Sequence, residues 1–216
     1  MARTIGIGVQ NFGKIIENNY FYVDKTSFLR EWWEGGDEVT LITRPRRFGK
    51  TLTMSMAEHF FSVEYAGRGD LFNGLRIWEE GKYRSLQGSY PVISLSFANV
   101  KERDYQTAKQ RICQLLADLY GRNYFLLDSG KVIILLDEYD TPMQEAYVDG
   151  YWAELVQFTR NMFHSAFKTN PWLERAIMTG ITRISKESVF SDLNNLEIVS
   201  TTSEKYADVF GFTEEE

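Results

Sequence analysis

Arg44-Pro45-Arg46-Arg47-Phe48-Gly49-Lys50-Thr51 decides the reading of this chain. It follows an apolar run, Val39-Thr40-Leu41-Ile42, and precedes a helical pattern that begins near Thr51. A strand, a tight turn ending Gly-Lys-Thr and then a helix is the layout of a phosphate-binding P-loop. Backbone N–H groups at a helix start lack intrahelical partners, and together with the helix dipole they favour an anion. Gly49 lets the backbone approach a phosphate. Lys50 reaches terminal phosphates, and the Thr51 hydroxyl suits Mg²⁺. Two features depart from the usual motif: Arg44 stands where its first glycine is expected, and Pro45 removes one N–H from the loop. On this stretch alone, a basic surface turn before a helix is the competing reading.

Working outward, residues 38–43 are the first core strand and residues 51–61 the helix after the loop. Leu52, Met54, Met56, Ala57, Phe60 and Phe61 give that helix apolar cover on more than one side, as in a helix buried against a sheet. Residues 1–13 read as an irregular lead-in. Thr26 or Ser27 caps a short helix carrying Phe28, Leu29, Trp32 and Trp33, which Gly35-Gly36-Asp37 ends. Its aromatics either wall a base pocket or belong to the core, and the core is the preferred reading.

Downstream, residues 90–97 form a second strand. Residues 104–119 form the clearest helix, with Tyr105, Ala108, Ile112, Leu115, Leu116 and Leu119 at three- and four-residue spacing. Cys113, beside that stripe, reads as a small buried hydrophobe, and Gly121 as the helix stop. Lys131-Val132-Ile133-Ile134-Leu135-Leu136-Asp137-Glu138 is continuously apolar up to its acids, as in a central parallel strand covered on both faces. A helix over 151–168, broken by Pro171, leads to a short strand over 175–180. Strands alternating with helices predict an α/β fold with a mainly parallel central sheet, the three-layer α/β/α arrangement of a P-loop NTPase. The expected organisation is a lead-in and helix over 1–37, a core over 38–200, and the start of a further region over 201–216.

Composition narrows the class. The chain has 216 residues, 44% of them hydrophobic, enough for one sizeable domain. Its net charge of −6 excludes a whole-chain basic field for nucleic acid. The lone Cys113 excludes a disulfide framework and favours a reducing compartment. No segment approaches a membrane span, and residues 1–13 hold no signal-peptide block, so a cytoplasmic protein is expected. His59 and His164 lack metal-ligand spacing, Cys113 lacks a nucleophile motif, and no serine elbow is present.

A P-loop needs a second, acidic element, at the C-terminal end of an adjacent strand. Asp137-Glu138 after Ile133-Ile134-Leu135-Leu136 has this form: the first acid holds Mg²⁺ with Thr51, and the second orients and deprotonates a water. Ligands of open α/β sheets bind at that edge. Thr179, closing another strand, fits a γ-phosphate sensor. Arg183 either supplies transition-state charge or pairs with Glu187. Arg44, Arg46 and Arg47 contact phosphates, or else face a partner subunit or an acidic polymer. The nucleotide-binding stretch is therefore Arg44, Pro45, Arg46, Arg47, Phe48, Gly49, Lys50, Thr51 and Leu52.

With these residues in view, the chain resembles the AAA-ATPase-like family of predicted bacterial and archaeal P-loop ATPases, whose members often carry a C-terminal nuclease-like domain of the PD-(D/E)XK type. The resemblance rests on Tyr22-Val23-Asp24-Lys25-Thr26, the arginine-rich loop, Asp70-Leu71-Phe72-Asn73-Gly74-Leu75 and Leu136-Asp137-Glu138-Tyr139-Asp140-Thr141-Pro142. It continues through Arg183-Ile184-Ser185-Lys186-Glu187-Ser188-Val189-Phe190-Ser191, Asn194-Asn195-Leu196 and Phe210-Gly211-Phe212-Thr213-Glu214-Glu215-Glu216. It implies that the Arg-Pro-Arg-Arg-Phe loop is the family's own form, that ATP is preferred to GTP, and that a nuclease-like domain belongs to the full-length protein. Members usually have a longer segment, including a helix, where only residues 120–130 stand here, which leaves part of the sheet exposed. Thr213-Glu214-Glu215-Glu216 has the form of a helix capping box, so a truncated chain is expected.

The reading is an ATP-binding, Mg²⁺-dependent ATPase module with a nucleotide, and a further subunit or partner protein, as its partners. A nucleotide-gated binding module with negligible turnover and a non-functional fragment stand as alternatives.

Overall fold

The structure, a computed structural model, describes residues 3–123, 130–184, 189–190 and 193–216. Residues 124–129 of the short segment before the Asp-Glu strand, and most of the Arg183-to-Ser191 motif, lie outside these residues. Two units are present, and they interleave along the chain: one is Met1–Gly36, Arg47–Val92 and Ser203–Glu216, the other Asp37–Arg46 and Ile93–Thr202.

The second unit holds a five-stranded sheet. Its strands are β1 (Val39–Thr43), β2 (Val92–Ser96), β3 (Val132–Asp137), β4 (Leu173–Gly180) and β5 (Leu196–Val199), in the order β2-β3-β4-β1-β5. The β1–β4, β1–β5 and β3–β4 pairs run parallel. β1 is buried at every position, as the centre of a parallel sheet demands. Val39, Leu41, Leu136, Ala176 and Met178 share one core cluster with α5 (Tyr105–Arg122), α6 (Thr141–Asp149) and α7 (Trp152–Phe167), through Ala108, Met143, Leu155 and Phe163. Thr40, Ile42, Ile133, Leu135 and Ile177, which alternate with those strand residues, are buried as well.

The first unit contains α1 (Phe12–Glu17), α2 (Ser27–Gly35), α3 (Lys50–Phe61) and the short α4 (Arg76–Glu79). Its core is aromatic. Phe12 stacks on Phe72 with centroids 5.1 Å apart. Phe60 meets the same ring edge-on at 5.1 Å, and Trp32 meets Phe61 edge-on at 5.5 Å. Trp32 is fully buried and Trp33 stacks on Phe61, so this pair is core and not a pocket wall.

Several expectations change. Asp137 does not lie on a strand adjacent to the loop strand: β4 stands between β3 and β1. Cys113 is exposed, because α5 buries only Ala108 and Ile112 fully and the next position turns away from that stripe. α5 runs through Gly121 to Arg122 and is capped by Asn123, whose N–H bonds Leu119 and Tyr120 carbonyls. Four short elements, α1, α4, α6 and β5, were not expected. Thr26 sits at the N-cap of α2 without capping it. Its hydroxyl donates to Asp24 Oδ1 at 2.6 Å and accepts from Ile77 N at 3.1 Å.

Candidate functional site

The strand ends of the sheet unit carry a dense polar cluster. β3 closes on Asp137 and β4 on Thr179-Gly180. Both Asp137 and Thr179 are buried. The Thr179 hydroxyl donates to Asp137 Oδ1. The Glu138 N–H is shared between that oxygen, at 3.1 Å, and Thr179 Oγ1, at 3.4 Å. These two donors fix the position of Oδ1, and a carboxylate oxygen is a ligand that hard divalent cations take. The sheet thus joins three of the expected residues in one hydrogen-bonded group.

Glu138 adopts a left-handed backbone, with φ 52°. A non-glycine residue there is strained by about 1–2 kcal/mol. The strain is held from both sides. Tyr139 N donates to the Thr179 carbonyl at 2.9 Å, and Thr141 Oγ1 donates to Glu138 Oε2 at 3.1 Å. Such strain clusters at functional positions.

Behind these residues sits Asp140, fully buried, which sequence reasoning did not single out. Its Oδ2 accepts from Ile181 N at 3.0 Å, Thr182 N at 2.8 Å, Thr182 Oγ1 at 2.7 Å and Gln144 Nε2 at 2.9 Å. It clamps the turn leaving β4. The Tyr139 hydroxyl reinforces the turn by donating to the Thr182 carbonyl at 2.8 Å and accepting from Ile184 N at 3.2 Å. Burial, foremost, pushes that phenol's pKa up, which keeps it a neutral donor. Gly180 leaves no room for a side chain: a Cβ there would lie 2.6 Å from the Tyr139 ring and 2.7 Å from Asp140 Oδ1. Asp140 could have been noticed as the third acid of Asp137-Glu138-Tyr139-Asp140. Arg183 follows this turn and is exposed; Glu187, its alternative partner, lies outside the described residues.

Arg44 and Arg46 belong to the same unit, and the boundary between units falls after Arg46. Arg44 is 4% exposed. Its N–H bonds the Gly180 carbonyl at 3.2 Å, and its guanidinium Nη1 donates to the Thr43 and Val199 carbonyls, each at 3.1 Å. Burial draws its pKa below the usual arginine range. In this structure Arg44 laces the ends of β1, β4 and β5 together. Pro45 and Arg46 are exposed.

The rest of the loop belongs to the other unit. Arg47, with φ 68°, and Gly49, with φ 76°, are both left-handed and flank Phe48. Alternating backbone of this kind turns successive N–H groups toward one concavity, which suits an anion. Gly49 is the N-cap of α3 and offers no side chain to the helix's leading N–H groups. The first internal bond runs from Thr53 N to the Gly49 carbonyl at 2.9 Å. Lys50 is 7% exposed, while Thr51 and Leu52 are half-buried in the first turn. Left-handed turns at Arg47 and Gly49 and a helix start with no side-chain cap fit a polyphosphate.

The motif Tyr22-Val23-Asp24-Lys25-Thr26 has a structural explanation in this unit. Asp24 accepts from Thr26 N at 2.9 Å and from Arg76 N at 2.8 Å, so it joins the starts of α2 and α4. Lys25 Nζ donates to the Asp208 carbonyl at 2.5 Å and to Glu216 at 2.6 Å, which holds the segment after residue 203. Thr213 N in turn donates to Glu216 Oε2 at 3.0 Å, one half of the expected capping box.

The family model described as a predicted AAA-ATPase matches residues 6–126 and 122–190. The chain belongs to the AAA-ATPase-like family. Membership implies nucleotide binding, and the α/β fold with its parallel sheet agrees with a P-loop NTPase. The two matched stretches meet just before β3, where a shortened segment was expected. A similar protein is the "Uncharacterized protein in vnfD 5'region" of Azotobacter chroococcum mcd 1, 31% identical over 233 aligned residues. That alignment covers 98% of this chain and 43% of the relative, so the chain spans less than half the relative's length. Among the described residues, no helix is long and apolar enough to cross a membrane, and no group of three or more His, Cys, Asp or Glu residues is placed to hold a metal ion. A Mg²⁺ site built from one carboxylate, a hydroxyl and substrate phosphates needs no such group.

Proposed function

We propose that this chain binds ATP with Mg²⁺ and hydrolyses the terminal phosphoanhydride. The observation that carries the reading is the hydrogen-bonded meeting of Asp137, Glu138 and Thr179 at the ends of β3 and β4. Lys50 and the backbone from Arg47 to Gly49 bind the phosphates. Thr51 and Asp137 are the residues that would ligate Mg²⁺, which would offset charge on the phosphate oxygens. Glu138 takes a proton from water as the water oxygen bonds to the γ-phosphorus. The bond from that phosphorus to the β–γ bridging oxygen breaks, giving ADP and inorganic phosphate. Thr179 reports the γ-phosphate to the strand ends, and Arg183 contributes charge to the transition state.

Phosphate release and nucleotide binding test this directly. Glu138→Gln is expected to lower kcat by about 10²–10⁴ and to leave binding in place; Lys50→Ala is expected to abolish binding. Turnover that survives the first change, or binding that survives the second, overturns the assignment.

A second reading, nucleotide binding with negligible turnover, has one observation in its favour: the Glu138 carboxylate already accepts the Thr141 hydroxyl. Binding by the wild type with no phosphate release above the Glu138→Gln control selects it.

A further inference from the structure

The Asp140 carboxylate does more than close a turn. Its hydrogen bonds from Ile181 N, Thr182 N, Thr182 Oγ1 and Gln144 Nε2 all converge on Oδ2. Its other oxygen, Oδ1, is buried and has no hydrogen-bond partner among the described residues. A buried carboxylate oxygen without a donor is unfavourable. A neutral Asn or Ser side chain closes a turn without burying a charge. The carboxylate instead holds Thr182 by main chain and side chain together.

The anchoring bonds lie on both sides of Arg183. Before it, Asp140 fixes Thr182 N and Thr182 Oγ1, and the Tyr139 hydroxyl donates to the Thr182 carbonyl at 2.8 Å. After it, the same hydroxyl accepts from Ile184 N at 3.2 Å. The backbone at Arg183 is therefore pinned at both ends by two consecutive residues that directly follow Glu138. Arg183 is itself exposed. It lines one cavity of about 380 Å³ with Thr182 and Gln144, two of the residues that bond Asp140.

We propose that Asp140 is a positioning residue for hydrolysis: by fixing Thr182 it sets where the Arg183 guanidinium stands relative to Glu138. The proposal rests on the reading above, in which Arg183 supplies charge to the transition state. Such a charge lowers the barrier when it is already in place as the reaction proceeds. An exposed arginine has a long, rotamer-rich stem, so its placement depends on the backbone that carries it. In this role Asp140 meets no reacting atom; it acts through Thr182 and Arg183.

A double-mutant cycle on ATP hydrolysis with Mg²⁺ tests this, at a temperature where circular dichroism shows the variants folded. Arg183→Ala is expected to lower kcat about 10²-fold or more. Asp140→Asn weakens charge-assisted bonds and is expected to lower kcat about tenfold or more, with KM for ATP unchanged. Together the two substitutions are expected to lower kcat no further than Arg183→Ala alone. A purely structural loss adds to that of Arg183→Ala instead. Thr182→Val removes one donor, keeps the main-chain bonds, and carries the test should Asp140→Asn fail to fold. Its loss of kcat, about threefold, is expected to vanish in the Arg183→Ala background as well. Unchanged kcat in these variants, or their full further loss in the Arg183→Ala background, overturns the positioning role and leaves the nucleotide reading standing. If Arg183→Ala turns over as fast as wild type, or wild type releases no phosphate above the Glu138→Gln control, the reaction reading itself fails and takes the inference with it.

Discussion

The loop region and the strand-end cluster are shaped by different forces. The cluster is held by side chains: Asp140 Oδ2 alone gathers Ile181 N, Thr182 N, Thr182 Oγ1 and Gln144 Nε2. The loop region is held by backbone, with Arg47 and Gly49 left-handed and α3 starting without a side-chain cap. Both place a strained, non-glycine residue at the expected site, Arg47 in one and Glu138 in the other. The difference teaches where each region is vulnerable. Deleting a carboxylate disables the cluster, whereas the loop responds to changes in conformational freedom.

Asp140→Ala separates the two most sharply. It leaves the Ile181 and Thr182 N–H groups without their acceptor in part-buried bonds, and a loss of about 1–3 kcal/mol in urea unfolding is expected. Asp140→Asn keeps an acceptor oxygen and is expected to cost about 1 kcal/mol. Equal losses from the two substitutions break the distinction.

Arg47→Gly has the opposite sign. It relieves about 1–2 kcal/mol of left-handed strain against about 0.4–1 kcal/mol of added unfolded-state freedom. Stability is therefore expected to hold or rise by up to about 1.6 kcal/mol, while Arg47→Ala, still strained, gains nothing. Glu138→Gly is expected to gain less, because it also loses the bond from Thr141. Chemical denaturation of the three variants beside wild type reads this ranking.

The smallest effect is a slope. His59 lies 3% exposed on α3, and its Nδ1 donates to the Ser55 carbonyl at 2.7 Å. Burial, foremost, lowers its pKa. The unfolded chain therefore takes up a proton near the ordinary value of about 6.5 while the folded chain does not. Stability is expected to fall as pH drops through that value and on down to the folded one. Thermal melts between about pH 7.5 and 5.5 should show a shallower fall in His59→Gln than in wild type; identical slopes count against a buried neutral imidazole.

Long patterns were legible in the sequence. The apolar runs of β1 and β3 and the stripes of α5 and α7 specify their elements through burial, which the residues themselves carry. Asp137, Glu138 and Thr179 were legible as strand-end polar residues, and the structure brings them together. Strand order was not. Placing β4 between β1 and β3 depends on where long connections return, and no local periodicity encodes that. α1 and α6 are short, and their caps, an Asn11 side chain bonding Lys14 N and a left-handed Gly150, leave faint traces. β5 has four residues, with only its two end positions buried. Arg44 was read by its charge, although its neighbours are main-chain carbonyls. Asp140 was passed over because a third acid after an acidic pair looks like part of a solvated turn.

The interleaved units bear on how the chain is made. Phe28 meets Tyr206 at 4.9 Å and Phe210 at 5.9 Å, and Lys25 waits for Asp208. During synthesis at about 5–20 residues per second, the ribosome emits the helix bearing Phe28 well before those partners exist. The early-born unit therefore finishes late. Until the stretch after residue 203 leaves the exit tunnel, Phe28 lacks both of these ring contacts.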